Sequence, residues 1–262
     1  GRLAGVYGSP NNVGLFVGRC IPFALAFALM PLDRHRRIAA ALALIPLGVA
    51  LVLSQSAGAL FIGVPVAVAA VLMLRYGRRA LLPLIALAGM GAAGLAFAMQ
   101  SARFERVLDF AQGTTFFRIR VWASAWQSIQ ARPLTGLGLD QFLYAFQGRT
   151  MMPDAWQEPN LSHPHNLVLD VWTRLGIAGL LVILWLQIAF WRSLRRAYQT
   201  QRANSIRFAL IIGAMGCMTN VLAHGMVDNS LFVVDLALIF AFLLGLAARS
   251  ANWGHDSARE VA

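Results

Sequence analysis

Charged side chains are scarce in this sequence, and their scarcity excludes an ordinary soluble domain. Only 13% of the 262 residues are charged, against 58% hydrophobic, and the mean hydropathy is +0.63. A soluble domain of this size would need more charge on its surface. Cysteine is nearly absent as well. Cys20 and Cys217 both lie inside apolar blocks, which supports neither a disulfide nor a metal site. Missing too are the short alternating segments of a membrane β-barrel. The chain opens at Gly1 in a Gly/Ser/Pro/Asn segment with no charged leader and no cleavage signal. The expectation is the C-terminal part of a longer protein, with earlier membrane helices preceding it.

What is present is a series of apolar runs of membrane-spanning length. They cover about 13–31, 38–54, 57–74, 80–99, 167–191, 208–223 and 231–248. The first is interrupted by Arg19 and Pro22. The expected fold is all-α and polytopic, with about seven transmembrane helices. Four fall in 13–99, a large periplasmic loop with amphipathic helices in 100–165, three more in 166–248, and a cytoplasmic tail in 249–262.

The formal charge of +11 would suit a nucleic-acid binder, but its placement argues against one. The arginines sit mainly in short clusters between apolar runs, at 34–37, 75–79 and 192–207. Assigning 32–37 to the cytoplasm puts every dense cluster on that side by alternation, as the positive-inside rule requires. The N-terminal loop, the turns at 54–57 and 224–229, and the long stretch 101–165 fall on the other side. In a bacterium this is a multi-pass inner-membrane protein with its functional face in the periplasm. Its partners include the lipid bilayer and exclude nucleic acid.

The long stretch is nearly balanced in charge. Arg103, Arg106, Arg118, Arg120, Arg132 and Arg149 stand against Glu105, Asp109, Asp140, Asp154 and Glu158. Within it, Trp122, Ala125, Trp126 and Ile129 recur at a helical period, so an amphipathic helix near the membrane surface is expected over 116–130. Arg132-Pro133 ends it, and Gly136-Leu137-Gly138 makes a tight turn.

The stretch closes on Ser162-His163-Pro164-His165-Asn166, at the mouth of the fifth run. An imidazole takes or gives a proton near neutral pH, so His165 is the leading candidate for acid–base chemistry and His163 its neighbour. The plain alternative is an interfacial histidine that anchors the helix. Asn166 suits the N-cap. A zinc site would need three or four ligands, for which His163, His165, His224 and an acid such as Asp228 are candidates, but the spacing does not compel one. Arg118 and Arg120 either clamp a phosphate or snorkel from an interfacial helix. Gly136-Leu137-Gly138 offers backbone amides to an anion, a weak signal. Gly176 and Gly179 suggest close helix packing. Arg19 lies inside an apolar run, where a charge is costly and usually functional. Apart from Arg19 and Asp235, the runs read as nearly free of ionisable groups.

Taken in order, these pieces resemble the O-antigen ligase and polymerase family of bacterial envelope glycan enzymes. Gly8-Ser9-Pro10-Asn11-Asn12 is similar to the family's Gly/Pro/Asn entry to a helix. Arg118-Ile119-Arg120-Val121-Trp122, then Arg132-Pro133, Gly136-Leu137-Gly138 and Phe142, resemble its Arg…Trp…Pro…Gly-x-Gly…Phe signature. His163-Pro164-His165-Asn166, followed by Gly176 and Gly179, resembles its His-x-His-Asn…Gly element, with ten residues between His165 and Gly176. The resemblance implies a membrane glycosyltransferase acting on an undecaprenyl-diphosphate-linked glycan, with neither cofactor nor catalytic metal. It implies His165 as the catalytic histidine and Arg118 as the arginine engaging the donor diphosphate. Beside these, the residues themselves point to Arg19, Arg120, His163 and Asn166 as substrate-binding candidates. The acceptor stays open: lipid A–core, a growing glycan or a protein hydroxyl. One departure stands out. Where family members carry Ser-Arg-Gly between two helices, this chain reads Ser56-Ala57-Gly58, so another cation must serve or activity is altered. Arg19 is the expected substitute. A membrane transporter and a non-catalytic remnant remain as other classes.

Overall fold

The computed structural model describes residues 1–100, 109, 111, 113–155, 160–229 and 231–253. The expectations resting on Arg103, Glu105, Arg106, Glu158 and the end of the tail lie outside these residues. The described chain is all-α: α1 Pro10–Leu29, α2 Arg34–Ser54, α3 Val64–Tyr76, α4 Leu81–Ala98, α5 Thr114–Ala131, α6 Phe142–Ala145, α7 Leu167–Thr200, α8 Ser205–Gly225 and α9 Val234–Ser250. It divides into two compact units. One comprises Gly1–Met90, Leu186–His224 and Leu231–Ala262, the other Gly91–Trp185 and Gly225–Ser230.

Local chemistry sets the helix ends. α1 begins at Pro10, with Ser9 at its N-cap, ahead of the apolar run that starts near Val13. Pro10 occupies its first turn, where the missing N–H and fixed φ cost nothing. Asp33 caps α2 by accepting from the Arg36 amide at 2.9 Å. Gln55 closes α2 in the left-handed conformation, φ +49°. α5 stops at Ala131, before Arg132-Pro133.

Five helical stretches among the described residues are long and apolar enough to cross a membrane. This makes the chain a polytopic membrane protein, but the list differs from the seven apolar runs. The third and fourth runs form one helical stretch of 40 residues, Ala59–Ala98. It opens with a π-helical segment, Ala59–Gly63, and leaves regular geometry at Gly77, φ +58° and ψ −135°. α9 has 17 residues.

In the first unit, Val13, Val17 and Ile21 of α1 pack with Leu51 and Ala59. Lower on α1, Ala26 and Met30 pack with Val71, Phe208, Ala209 and Ile212. Apolar side chains also face outward: Leu42, Ile45 and Val49 of α2, Leu82, Ile85 and Met90 of α4, and Leu238 and Phe242 of α9. Exposed apolar surface on this scale suits lipid and not water. Polar groups are drawn inward instead, with Arg19, Asn220 and His224 all buried. Cys20 and Cys217 are free thiols.

In the second unit, Val121 and Ala125 of α5 pack against Phe142, Phe146 and Leu161. The buried stripe of α5 is Val121, Ser124, Ala125, Ser128 and Ile129. Trp126, part of the apolar face expected near the membrane surface, is exposed and meets Trp172 edge-on. Small Ser residues fill the inner stripe because the Phe146–Thr150 segment lies close, with the Ser124 hydroxyl donating to the Thr150 carbonyl at 2.6 Å.

Candidate active site

The second unit gathers the histidines at the start of α7. Asn166 is the cap: its Oδ1 accepts the amides of Val168 and Leu169 at 3.0 and 3.1 Å. Its Nδ2 donates to the Met226 carbonyl at 3.0 Å, which ties down the turn carrying Asp228. One residue earlier, His165 sits in the left-handed region, φ +49°. Such a conformation is uncommon outside glycine, although histidine tolerates it better than most.

His165 Nδ1 lies 2.9 Å from Asp228 Oδ1, whose carboxylate is buried and also accepts the Asn229 amide at 2.8 Å. His163 Nε2 is 3.2 Å from the same His165 nitrogen, and His163 Nδ1 is 3.1 Å from Ser162 Oγ. The two rings meet edge to face. His165 Nδ1 carries at most one proton, which serves one of its two contacts. His165 donates from Nδ1 to the anionic Asp228, the stronger acceptor, and His163 donates from Nδ1 to Ser162. Nε2 of His165 is then the basic nitrogen.

His163 remains neutral. Burial pushes its imidazole down to about 3, the neighbouring His165 and Arg174 push the same way, and Asp228 opposes them. A depressed histidine has a definite effect on acid stability. Below the ordinary value of 6.5 the unfolded chain takes up a proton that folded His163 refuses, so stability falls as the pH drops from there towards about 3. His163→Gln removes this loss. The thermal midpoint of the variant in detergent should fall less between neutral and mildly acidic pH than that of the parent. Equal falls would show that His163 titrates normally.

Behind the histidines is an ion-pair network that the sequence reading overlooked when it treated the fifth run as free of charge. Arg174, 3% exposed, bonds Asp170 at 2.7 Å one turn back, contacts the Asp140 carboxylate, and donates to the Ser162 carbonyl at 3.3 Å. It fixes the backbone from which His163 and His165 project. The signal was an Asp-Arg pair at i,i+4 near the start of a helix.

Gly136-Leu137-Gly138 is not an anion cradle. Its Leu137 and Gly138 amides donate to the Thr173 and Arg174 carbonyls at 2.7 and 3.1 Å, and Ile177 donates to the Pro133 carbonyl at 3.0 Å. These bonds replace helical ones that α7 loses where Gly176 leaves helical geometry, φ +66° and ψ −165°. Gly176 therefore serves backbone insertion by the 133–138 loop and not the helix packing first expected.

The arginines separate into different settings. Arg118 is half-buried on α5. Arg120 pairs with Asp154 at 2.8 Å and lies over the Phe116 ring. Arg19 belongs to the first unit, is 1% exposed, and donates to the Leu236 carbonyl at 3.0 Å, so it does not snorkel to headgroups. At the turn before Ala57 stands a different cation. Arg2 donates to the Ser54 carbonyl at 3.0 Å and to Asn11 Oδ1 at 2.8 Å. No local pattern brings Arg2 there, since its position is set by tertiary contacts.

Residues 40–184, more than half of the chain, match the family model described as O-Antigen ligase. The chain belongs to the O-antigen ligase family. No curated protein sequence matches it. Membership implicates an enzyme of the O-antigen ligase and polymerase type, a multi-pass membrane protein with glycan and lipid partners. The matched stretch contains Arg118, Arg120, His163, His165 and Asn166 and stops short of Asp228.

One other chemistry fits the site. His163, His165 and Asp228 present ligand atoms within 4.8 Å of one another. Tetrahedral zinc, with bonds of about 2.0–2.1 Å, sets its ligand atoms about 3.3 Å apart. His224, also a candidate ligand on sequence, belongs to the first unit.

Proposed function

We propose that this O-antigen ligase family member transfers a glycan from an undecaprenyl-diphosphate carrier to an acceptor hydroxyl at the periplasmic face of the bacterial inner membrane. The observation that carries the reading is the 2.9 Å contact between His165 and the buried Asp228. Asp228 holds the imidazole by Nδ1, which leaves Nε2 to act as general base. His165 takes the proton of the acceptor hydroxyl as that oxygen bonds to the anomeric carbon. The bond from that carbon to the diphosphate oxygen breaks, and the diphosphate leaves with the electron pair. Arg118 stabilises the charge that grows on it. Arg120, His163 and Asn166 shape the surroundings.

The membrane arrangement in this reading has seven crossings. Ala59–Ala98, 40 residues long, spans about 60 Å as a helix, roughly twice the hydrocarbon thickness, and so crosses twice about Gly77. α9 adds a further crossing. The arginine-rich turns then all face the cytoplasm.

The acceptor is chosen by experiment: one labelled donor offered lipid A–core, a growing glycan and a protein hydroxyl separates ligase, polymerase and oligosaccharyltransferase. Turnover of none of them by the intact protein would support a non-catalytic chain. Arg118→Lys should lose roughly ten- to a hundredfold in rate, because a point charge does not reproduce the guanidinium fork. Unchanged donor affinity and rate in that variant would remove Arg118 from the mechanism. Treatment with a chelator should leave transfer intact if His165 is the base. Loss of activity restored by zinc would instead assign His163, His165 and Asp228 to a metal-assisted reaction.

A further inference from the structure

The arginine-rich end of the first unit contains a cavity of about 230 Å³ where the ends of α1, α3, α7 and α8 meet. Its walls are of two kinds. Met30, Leu74 and Phe208 supply apolar surface, while Arg75, Arg202 and Ser205 supply cationic and hydroxyl donors. No acid lines it. Arg75 reaches the Leu29 carbonyl at 3.5 Å and lies over the Tyr76 ring, and Arg202 lies over the Tyr198 ring. Tyr198 is itself held by its hydroxyl, which donates to the Leu74 carbonyl at 2.6 Å. The described acids of this unit are Asp33, ion-paired with Arg36, and Asp235 in the first turn of α9. Two guanidinium groups thus line one cavity, held by rings and a carbonyl and with no described carboxylate bonded to either.

The cavity also receives the N-terminus of α8. Asn204 caps it, accepting the Arg207 amide at 3.0 Å, and Ser205 opens the helix. The positive end of a 21-residue helix adds to the attraction for an anion. A second cavity, of about 470 Å³ on the α1–α2 turn, repeats the chemistry with Arg34 and Arg37 beside Leu32 and Ile38.

We propose that the Arg75–Arg202 cavity is a headgroup site for an anionic phospholipid. The phosphate is bound by both guanidinium groups and the Ser205 hydroxyl, and the first acyl carbons lie on Met30, Leu74 and Phe208. The volume is below the roughly 300–1,000 Å³ of sites that take a whole small ligand, so it holds a headgroup and leaves the chains in the membrane. The apolar wall favours a lipid over a free phosphate, which has nothing to place against it. Arginine is suited to the role because its planar fork meets phosphate oxygens in pairs.

The test is native mass spectrometry of the purified full chain in detergent, titrated with phosphatidylglycerol, phosphatidylcholine and inorganic phosphate. Phosphatidylglycerol should bind, and phosphatidylcholine should bind at least about tenfold more weakly. The Arg75→Gln/Arg202→Gln pair should weaken phosphatidylglycerol at least about tenfold, the loss expected from removing even one charge-assisted hydrogen bond. Arg75→Lys/Arg202→Lys keeps the charge and should fall between the two, as should Ser205→Ala, so the proposal stands or falls even if the Gln pair fails to fold. Equal retention of both lipids would overturn it. So would unchanged binding in the Gln, Lys and Ser205 variants, or a dependence on Arg34 and Arg37 alone. Displacement of the lipid by equimolar inorganic phosphate would mark a free-anion site and reject the lipid.

Discussion

His165→Ala is expected to lower glycan transfer by roughly 10²- to 10⁴-fold, the usual contribution of a positioned acid–base group, while expression, insertion and thermal midpoint stay near those of the parent. The imidazole is partly exposed, and its removal leaves no large void, so the loss should be chemical. Asp228→Asn tests the partnership. An amide can still accept from Nδ1, but it carries no charge to balance the imidazolium that forms as the acceptor proton is taken. The variant should lose about a hundredfold or more, with a shift in the pH profile that a merely structural residue would not give. If Asp228 acts through His165, the double variant is no slower than His165→Ala alone, because groups that work as a unit are not additive. Near-normal turnover in His165→Ala would sink the assignment. Full additivity would separate Asp228 from it.

The apolar frame was legible because helices in lipid must satisfy their backbones internally and show their length as hydropathy. Asn166 was legible as a cap for the same local reason: a short side chain that accepts amide bonds immediately before an apolar run. Asp228 was visible only as a generic acid. Its pairing with His165 spans 63 positions of chain, and no local pattern encodes a contact of that reach. Hydropathy separated the third and fourth runs at Arg75–Arg79, yet the backbone carries helical structure on either side of Gly77. Periodicity marked the helix α5 but not its inner stripe. Ser124 lies in that stripe because its bond to the Thr150 carbonyl needs a small inner residue.

The arginines show the other limit. A charge within an apolar run was read as functional, and Arg19 is indeed kept from lipid, but its described bond is to the Leu236 carbonyl. At the turn before Ala57, position in the chain was no guide either. Arg2, in the N-terminal segment, is the cation that reaches the Ser54 carbonyl at that turn. Residue type and approximate depth were readable, whereas the bonding partner depends on which helices meet.

The largest effect on structure is expected from Gly176→Ala. A Cβ there would lie 2.1 Å from the Leu134 carbonyl oxygen and 2.4 Å from its carbon, both backbone atoms that no rotamer change can move. The position also has φ +66°, which costs an L-residue about 1–2 kcal/mol before any clash. The total should exceed about 4 kcal/mol, the range reached only by severe core or backbone defects. Gly136→Ala meets the backbone of residues 173–176 at 2.7–2.8 Å from the other side and should be nearly as harmful. Gly138→Ala is the control. Its φ of +103° is strained, but its nearest neighbour is the flexible Gln141 side chain at 3.4 Å, so it should be the mildest. Arg174 lies two residues before the kink and holds the Ser162 carbonyl, so undocking the 133–138 loop should also displace the histidine turn. Gly176→Ala should therefore lose transfer and thermal midpoint together, where His165→Ala loses transfer alone. A Gly176→Ala protein with the parent's midpoint would mean that the loop and α7 do not interlock, and Arg174 would then lose its role in positioning His165.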